Sequence, residues 1–258
     1  MDARPLPRLA ALLGAVMVAA TALTGCAEAG TEATAPGRTT GPTRADASPA
    51  PSTDRTETGP PDSCTKRLSE PGDPVPGTVF ADCLVTATRL AATAHMTTTY
   101  PHSSATGPIR MGKPFELYLK TSDGGELFIK DERGWMKGHG SWTEAKANGS
   151  AQERLADAVV KSYLGFTDPR AQQQFLATTE WQPAASAPET VNGRQAVSYS
   201  GRPKFGDVTY DDYRVWIDKG FLPVRIVATV TVLGRTETGR QDYADWGKQI
   251  HLPDGLPQ

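Results

Sequence analysis

Apolar and polar residues alternate most regularly near the C-terminus, in the stretch LPVRIVATVTVLG. One side of this stretch takes the apolar positions Leu222, Val224, Ile226, Ala228, Val230 and Val232. The other side is mixed and includes Arg225, Thr229 and Thr231. Successive side chains of a strand point to opposite faces, so this pattern predicts a long strand with one buried face.

The same period of two recurs in earlier segments. PFELYLKT places Phe115, Leu117 and Leu119 on one face, and YDDYRVWID does the same with Tyr213, Val215 and Ile217. Turns are predicted at SDGG, at KG after Asp218, and near Gly134 in ELFIKDERGWMKG. These segments predict an antiparallel sheet with one apolar face and one solvated face.

Two segments have helical spacing instead. In residues 79–92, the positions of Val79, Cys83, Val85 and Leu90 are near helical spacing. The clearest helix is AQERLADAVVKSYLGF, whose apolar face contains Leu155, Val159 and Tyr163. Asp168 precedes Pro169 in DPRAQQQFLATT, which predicts a capped short helix. Strands, then helices, then more strands indicate an α+β layer fold.

The apolar face of residues 222–232 is expected to lie against the helix of Leu155, Val159 and Tyr163. The pattern requires that face to be buried, because a slip of one residue would expose every apolar side chain. A solid core and a wall around a bound ligand both satisfy this requirement. The alternation therefore leaves both interpretations open.

The N-terminus has a different pattern. Arg4 and Arg8 precede an uncharged, mostly apolar run from Leu9 to Leu23. This order is typical of a secretory signal, and the run is shorter than the roughly 20 residues that span a bilayer. Leu23-Thr24-Gly25-Cys26 resembles the lipobox of bacterial lipoproteins, which implies cleavage before Cys26 and a lipid on its thiol. Plain secretion and a retained anchor are the alternatives.

Residues 27–62 contain no Val, Ile, Leu, Met, Phe, Trp or Tyr. A segment of this composition buries too little apolar surface to offset the entropy of ordering. We therefore predict a signal peptide at residues 1–25, a lipidated and disordered tether at 26–62, and one domain at 63–258.

Cysteine usage and charge restrict the function. With Cys26 modified, Cys64 and Cys83 remain, and an even number in an exported chain favours a disulfide between them. Two unrelated thiols are the alternative. The chain has 27 Lys+Arg and 29 Asp+Glu, and residues 63–258 carry equal numbers of each. This balance offers no basic surplus for nucleic acid.

Candidate chemistry is sparse. The histidines, His95, His102, His139 and His251, form no metal-binding motif, and GHGSW does not have the spacing of a nucleophile elbow. No glycine-rich phosphate-binding motif occurs. We expect a protein that is not an enzyme and that has no catalytic residues, cofactor or metal.

Several of these segments together resemble LppX/LprG-type lipoproteins of actinobacteria, which have the LolA-like lipoprotein-carrier architecture. The resemblance is carried by the lipobox, GELFIKDERGWMKGHGSWTE, ETVNGRQAVSYSG, YRVWIDKGFLPVRIVATV and YADWGKQIHLP, and it covers roughly residues 79–257. It implies a strongly curved, half-barrel antiparallel sheet with helices over its concave face. It also implies an apolar cavity that holds acyl chains.

On this basis the expected function is binding of a hydrophobic ligand by a monomer, and carriage of that ligand through the cell envelope is a further expectation. Its membrane anchor would be lipid on Cys26 at the extracytoplasmic face. A regulatory or sensory lipoprotein acting on a membrane-protein partner is the alternative. The candidate cavity residues are Leu117, Leu119, Leu155, Val159, Tyr163, Val215, Ile217, Val224, Ile226, Ala228 and Val230.

Overall fold

A computed structural model describes residues 62–68, 73–138, 140–184, 188–205, 208–232 and 235–258. The predicted signal peptide, Cys26 and all of the predicted tether except Asp62 lie outside the described residues. Among the residues described, no helix combines the length and apolarity needed to cross a membrane.

Four helices are described, α1 at Asp62–Leu68, α2 at Gly77–Ala91, α3 at Ala151–Thr167 and α4 at Pro169–Leu176. The first half of the chain supplies strands β1 at Thr93–Tyr100, β2 at Ser103–Met111, β3 at Phe115–Thr121, β4 at Glu126–Lys130, β5 at Arg133–Lys137 and β6 at Trp142–Glu144. The second half supplies β7 at Gln182–Pro183, β8 at Glu189–Val191, β9 at Arg194–Gly201, β10 at Lys204–Phe205, β11 at Val208–Thr209, β12 at Asp212–Asp218, β13 at Pro223–Val232 and β14 at Arg235–Ala244.

Twelve of the described strands form one antiparallel sheet. Its order is β6-β5-β4-β3-β2-β1-β14-β13-β12-β9-β7, and β8 also pairs with β9. The sheet is curved and does not close into a barrel, while β10 and β11 form a separate hairpin. The predicted α+β class, with helices packed on one face of a curved sheet, is confirmed.

Side-chain caps begin α3 and α4, and the cap at Asp168 was predicted. Ser150 and Glu153 form a capping box at the start of α3, with Glu153 Oε2 accepting from the Ser150 N–H at 2.7 Å. The Asp168 carboxylate accepts from the backbone N–H groups of Arg170 and Ala171 and so caps α4. The short helix α1 had no counterpart among the predicted elements.

The main hydrophobic core lies between the helices and one face of the sheet. Phe80 of α2 stacks on Trp181 with ring centroids 4.4 Å apart, and both side chains are fully buried. The predicted disulfide between Cys64 and Cys83 is confirmed, and it fastens α1 to α2. The hydroxyl of Tyr199 donates to the carbonyl of Leu68 and holds the end of α1 against β9.

Two smaller clusters lie apart from this core. Tyr118, Phe128 and Trp135 pack with Trp142, and the C-terminal segment contributes Leu252 and Leu256 to that cluster. Val191, Ala196 and Val224 pack with Trp216 in the second cluster. Both faces of the sheet therefore bury apolar side chains, the helix-covered face far more of them.

The turn predicted near Gly134 is in the wrong place. The chain turns at Asp131, which has a φ of 53°, and Gly134 lies inside β5. A Cβ at Gly134 would stand 2.3 Å from Val160 Cγ2, so the missing side chain lets α3 pack closely on β5. The glycine serves helix–sheet packing and not the turn.

The predicted face of Val224 is also wrong. The pairing of β12 with β13 shifts between Trp216 and Ile217, which lie opposite Arg225 and Pro223. This irregularity leaves Val224 as an extra residue and interrupts the alternation. Val224 consequently packs with Trp216 in the separate cluster, whereas Ile226 lies in the main core.

Candidate ligand pocket

A pocket of about 80 Å³ opens between the helix-covered face of the sheet, the end of α3 and the β10–β11 hairpin. The chain elements that meet there are far apart in sequence. The lining residues are Thr98, Tyr100, Phe166, Phe205, Val208, Tyr210, Tyr213, Ile226, Ala228, Val230, Glu237, Gly239, Arg240 and Gln241. The surface of the pocket is mostly apolar.

The register of β13 and β14 builds the floor of the pocket. Ile226 pairs with Gln241, Ala228 with Gly239, and Val230 with Glu237. Paired residues point to the same face of a sheet, so an apolar row on β13 lies beside a polar and glycine row on β14. The small residues Ala228 and Gly239 leave open space between the two rows.

The Tyr100 ring lies close to Gly239. A Cβ at Gly239 would be 2.8 Å from Cε1 of the Tyr100 ring. Only a glycine therefore allows the ring to lie in this position without a shift. The close approach narrows the pocket on the β1 side.

Aromatic rings form the opposite wall. The Phe166 ring lies 5.8 Å from Phe205 and 6.1 Å from Tyr210, and Tyr210 lies 5.5 Å from Tyr213. Most of these ring pairs meet edge to face, the geometry that aromatic quadrupoles favour. Phe205 is 36% exposed, so the wall reaches the surface at the hairpin.

Four phenols around this space are held in their neutral form. Burial raises the pKa of Tyr100 to about 12 and also raises the pKa of Tyr163, Tyr210 and Tyr213. Proximity of the Tyr100 hydroxyl raises the pKa of Tyr163 and Tyr210 further. These groups remain O–H donors at physiological pH because removing a proton would leave a buried charge.

The predicted cavity residues divide between the pocket and other parts of the structure. Three of them line the pocket, namely Ile226, Ala228 and Val230. Seven others belong to the main core or pack against it, namely Leu117, Leu119, Leu155, Val159, Tyr163, Val215 and Ile217. Val224 lies in the separate cluster with Trp216.

Sequence reasoning missed the polar side of the pocket. Thr98, Glu237 and Gln241 face inward from β1 and β14, where a buried face was expected to be apolar. The signal lay in the sequence RTETGRQDYA, whose alternate positions place polar and small residues opposite the apolar row of β13.

A second, wider cleft of about 850 Å³ lies near the junction of α3 and α4. Its lining includes Arg89, Lys113 and Arg170 together with Asp131, Glu132 and Asp168. These charged side chains are well hydrated, and an apolar ligand would have to displace their water at a cost in free energy. The smaller apolar pocket is therefore the better candidate for a hydrophobic ligand.

In the described part of the chain, no group of three or more His, Cys, Asp or Glu side chains is placed to hold a metal ion.

Comparison with known proteins gives likeness of fold alone. No protein-family profile matches the sequence, and no curated protein matches it. Among solved structures, LprF from Mycobacterium bovis is 14% identical with a TM-score of 0.45, over 72% of this chain and 100% of that one.

Two other solved structures are similar over comparable lengths. The MucA/MucB complex of Pseudomonas aeruginosa contains a chain 16% identical, with a TM-score of 0.35, over 69% of this chain and 66% of that one. A LolA superfamily protein from Nitrosomonas europaea is 12% identical, with a TM-score of 0.27, over 67% and 95%.

Proposed function

We propose that this chain is a lipoprotein of the extracytoplasmic membrane face, and that its domain binds a hydrophobic ligand in the pocket under the β10–β11 hairpin. One observation carries the proposal. The pocket is an open space lined mostly by aromatic and aliphatic side chains. Concave apolar sites with a few polar groups are typical of small-molecule binding.

The size of the pocket determines how a ligand is accommodated. An apolar cavity of about 150 Å³ holds a benzene molecule, and this pocket measures about 80 Å³. A whole acyl chain therefore requires the space to widen. The β10–β11 hairpin stands outside the main sheet and borders the pocket, so we propose that it shifts to admit a ligand.

Location outside the cytoplasm is supported by the Cys64–Cys83 disulfide, because such bonds persist in oxidising compartments. The anchor is lipid on Cys26, followed by the tether through residue 62. Two acyl chains hold a protein on a bilayer far better than one. The domain acts by binding and carrying, without catalysis.

A pocket-filling substitution tests the binding role. Ala228→Leu puts three carbons into the space beside Gly239 and is expected to reduce co-purifying ligand by about tenfold or more. Val227→Leu, on the other face of the same strand, is the matched control and keeps its ligand. Mass spectrometry of organic extracts from the purified full chain provides the measurement.

The proposal of ligand binding is wrong if the wild-type chain carries no hydrophobic molecule, or if both variants lose it equally. The regulatory alternative would be favoured by two results together. The wild type would carry no ligand, and a membrane-protein partner would co-purify with the Ala228→Leu variant.

The anchor has its own test. Cys26→Ala in a native-like host is expected to abolish incorporation of labelled palmitate and either release the domain or leave an unprocessed precursor. A variant that stays on the membrane and is cleaved at the same place would refute lipid anchoring.

A further inference from the structure

The pocket contains a buried polar atom that the fold leaves unused. Thr98 is fully buried on β1, faces the pocket, and its Oγ1 has no hydrogen-bond partner among the residues that the structure describes. An unsatisfied buried hydroxyl destabilises a protein, and most buried polar groups are paired. An unpaired hydroxyl at the wall of a pocket indicates that a polar group of the ligand hydrogen-bonds to it.

Neighbouring phenols add hydrogen-bonding capacity near the same place. Tyr100, Tyr210 and Tyr213 line the pocket together with Thr98, and burial raises the pKa of each of these phenols. The amide of Gln241, also in the lining, accepts from the Tyr243 hydroxyl at 3.2 Å. The inner part of the pocket is thus rich in neutral hydroxyls.

None of the described residues that line the pocket supplies an unpaired positive charge. Its charged residues are Glu237 and Arg240, and the Arg240 guanidinium pairs with Asp242 at 2.8 Å. A carboxylate or phosphate brought beside Thr98 would lose its hydration without gaining a free cation. An uncharged oxygen loses far less on burial and fits the hydroxyls equally well.

We infer that the ligand of this pocket is a neutral, oxygen-bearing hydrophobic molecule, whose uncharged carbonyl or hydroxyl oxygen hydrogen-bonds to Thr98 Oγ1. The inference rests on the proposed function and deepens it. Thr98 is then the residue that selects for a polar group, while Ile226, Ala228 and Val230 hold the apolar body.

Three probes that share one chain length test this selection. Octane has no polar group, 2-octanone has a neutral acceptor and octanoate has a charge at about pH 8. The full chain is labelled with fluorotyrosine and placed in lipid nanodiscs, and binding is followed by ¹⁹F NMR. Each probe is supplied at a fixed vapour or aqueous activity. Tyr→Phe variants assign the pocket signals.

Thr98→Val keeps the shape of the side chain and removes its hydroxyl. The variant is expected to bind 2-octanone about three- to tenfold more weakly and octane within about twofold of the wild type. In the wild type, octanoate should bind more than about tenfold more weakly than 2-octanone. Thr97→Val, on the opposite face of β1, is the matched control and leaves the affinities for all three probes unchanged.

Each remaining outcome has a distinct meaning. Equal losses for octane and 2-octanone, or no loss for either, would overturn the role of Thr98. Tighter binding of octanoate than of 2-octanone would overturn the neutral class. Failure of every probe to bind the wild type would instead refute the pocket as a hydrophobic site, and hence the proposed function itself.

Discussion

The unpaired hydroxyl of Thr98 is expected to destabilise the unliganded protein, and a substitution of Thr98 should reveal this. Replacing a buried, unpaired hydroxyl by a methyl group removes an unsatisfied polar atom without changing shape. We expect Thr98→Val to raise the free energy of unfolding by about 1 kcal/mol. Urea unfolding of ligand-stripped protein measures it, and a lower midpoint for the variant would show that the hydroxyl is paired in solution.

Val224 supports the sheet on the face away from the pocket. It is fully buried against Val191, Ala196 and Trp216. Val224→Asp is expected to destabilise the protein by about 3 kcal/mol, since the new carboxylate lacks a partner there. Ligand content per folded molecule should not change.

Thr231→Asp is the control for that substitution, because Thr231 is exposed on the same strand. Chemical denaturation with a parallel ligand assay decides the matter. Selective loss of ligand from folded Val224→Asp protein would mean that Val224 faces the pocket.

Residue-level prediction from the sequence succeeded where alternation was unbroken. Ile226, Ala228 and Val230 face inward as expected. Val224 did not, because the irregularity is set by the pairing of Trp216 and Ile217 with a partner strand. A single strand's pattern contains no information on that pairing.

The disulfide is the main covalent support of α1. It closes a loop with a sequence separation of 19 residues. In the chain-entropy description, a loop of this size stabilises the folded state by about 3 kcal/mol. Cys64→Ser with Cys83→Ser should lower the free energy of unfolding by about that amount, as measured by urea denaturation, and an unchanged midpoint would show that packing alone holds α1.

Glu126 links three strands and should make stability depend on pH. The Lys137 ammonium and the Tyr118 hydroxyl, each 2.9 Å from its carboxylate, hold the pKa of Glu126 below its usual value of 4.5. A lowered folded-state pKa gives stability that is full above about pH 4.5 and is lost as the pH falls through the folded-state value.

Glu126→Gln is therefore expected to unfold at a lower denaturant concentration than wild type near neutral pH, and the difference should shrink below about pH 4. Thermal or urea midpoints across the acid range measure it. A difference that stays constant with pH would contradict the ion pair as its source.

Elements with a strong period and clear caps were predictable from the sequence. The cap at Asp168 and the helical spacing of the other two segments predicted α2, α3 and α4. The short helix α1 has no such period. The disulfide and the hydrogen bond from the Tyr199 hydroxyl to the Leu68 carbonyl hold it in place. Contacts between distant residues of this kind leave no local pattern.

At the scale of the whole molecule, the β10–β11 hairpin borders the pocket, with Phe205 and Val208 in its lining. Phe205 contacts Phe166 and Phe175, and its ring lies over Gly165. Phe205→Ser is expected to speed ligand release by several-fold while costing no more than about 1 kcal/mol of stability, because the side chain is partly exposed.

Exchange of a fluorescent hydrophobic probe from the full chain measures that release. Thr209→Ser, an exposed position on the same hairpin, serves as the control. Equal release rates for all three proteins would place the entrance elsewhere.

The position of the pocket could not be predicted from the sequence. Its wall combines β1, the end of α3, the hairpin and three late strands, and their meeting point depends on the curvature of the sheet. Most of the expected cavity residues, such as Leu117 and Val215, proved to be solid core. The alternating pattern establishes that a face is buried, and the packing of the other elements decides whether protein or a cavity covers it.

The cross-link between Cys64 and Cys83 also determines where mechanical load enters the protein. A pull that arrives from the N-terminal side reaches Cys64 and then has a covalent route to Cys83, in the middle of α2. The helix α1 beyond Cys64 is shielded from that force and cannot be peeled away turn by turn. Force from a membrane anchor would therefore be carried by α2, whose Phe80 is stacked on Trp181 in the main core.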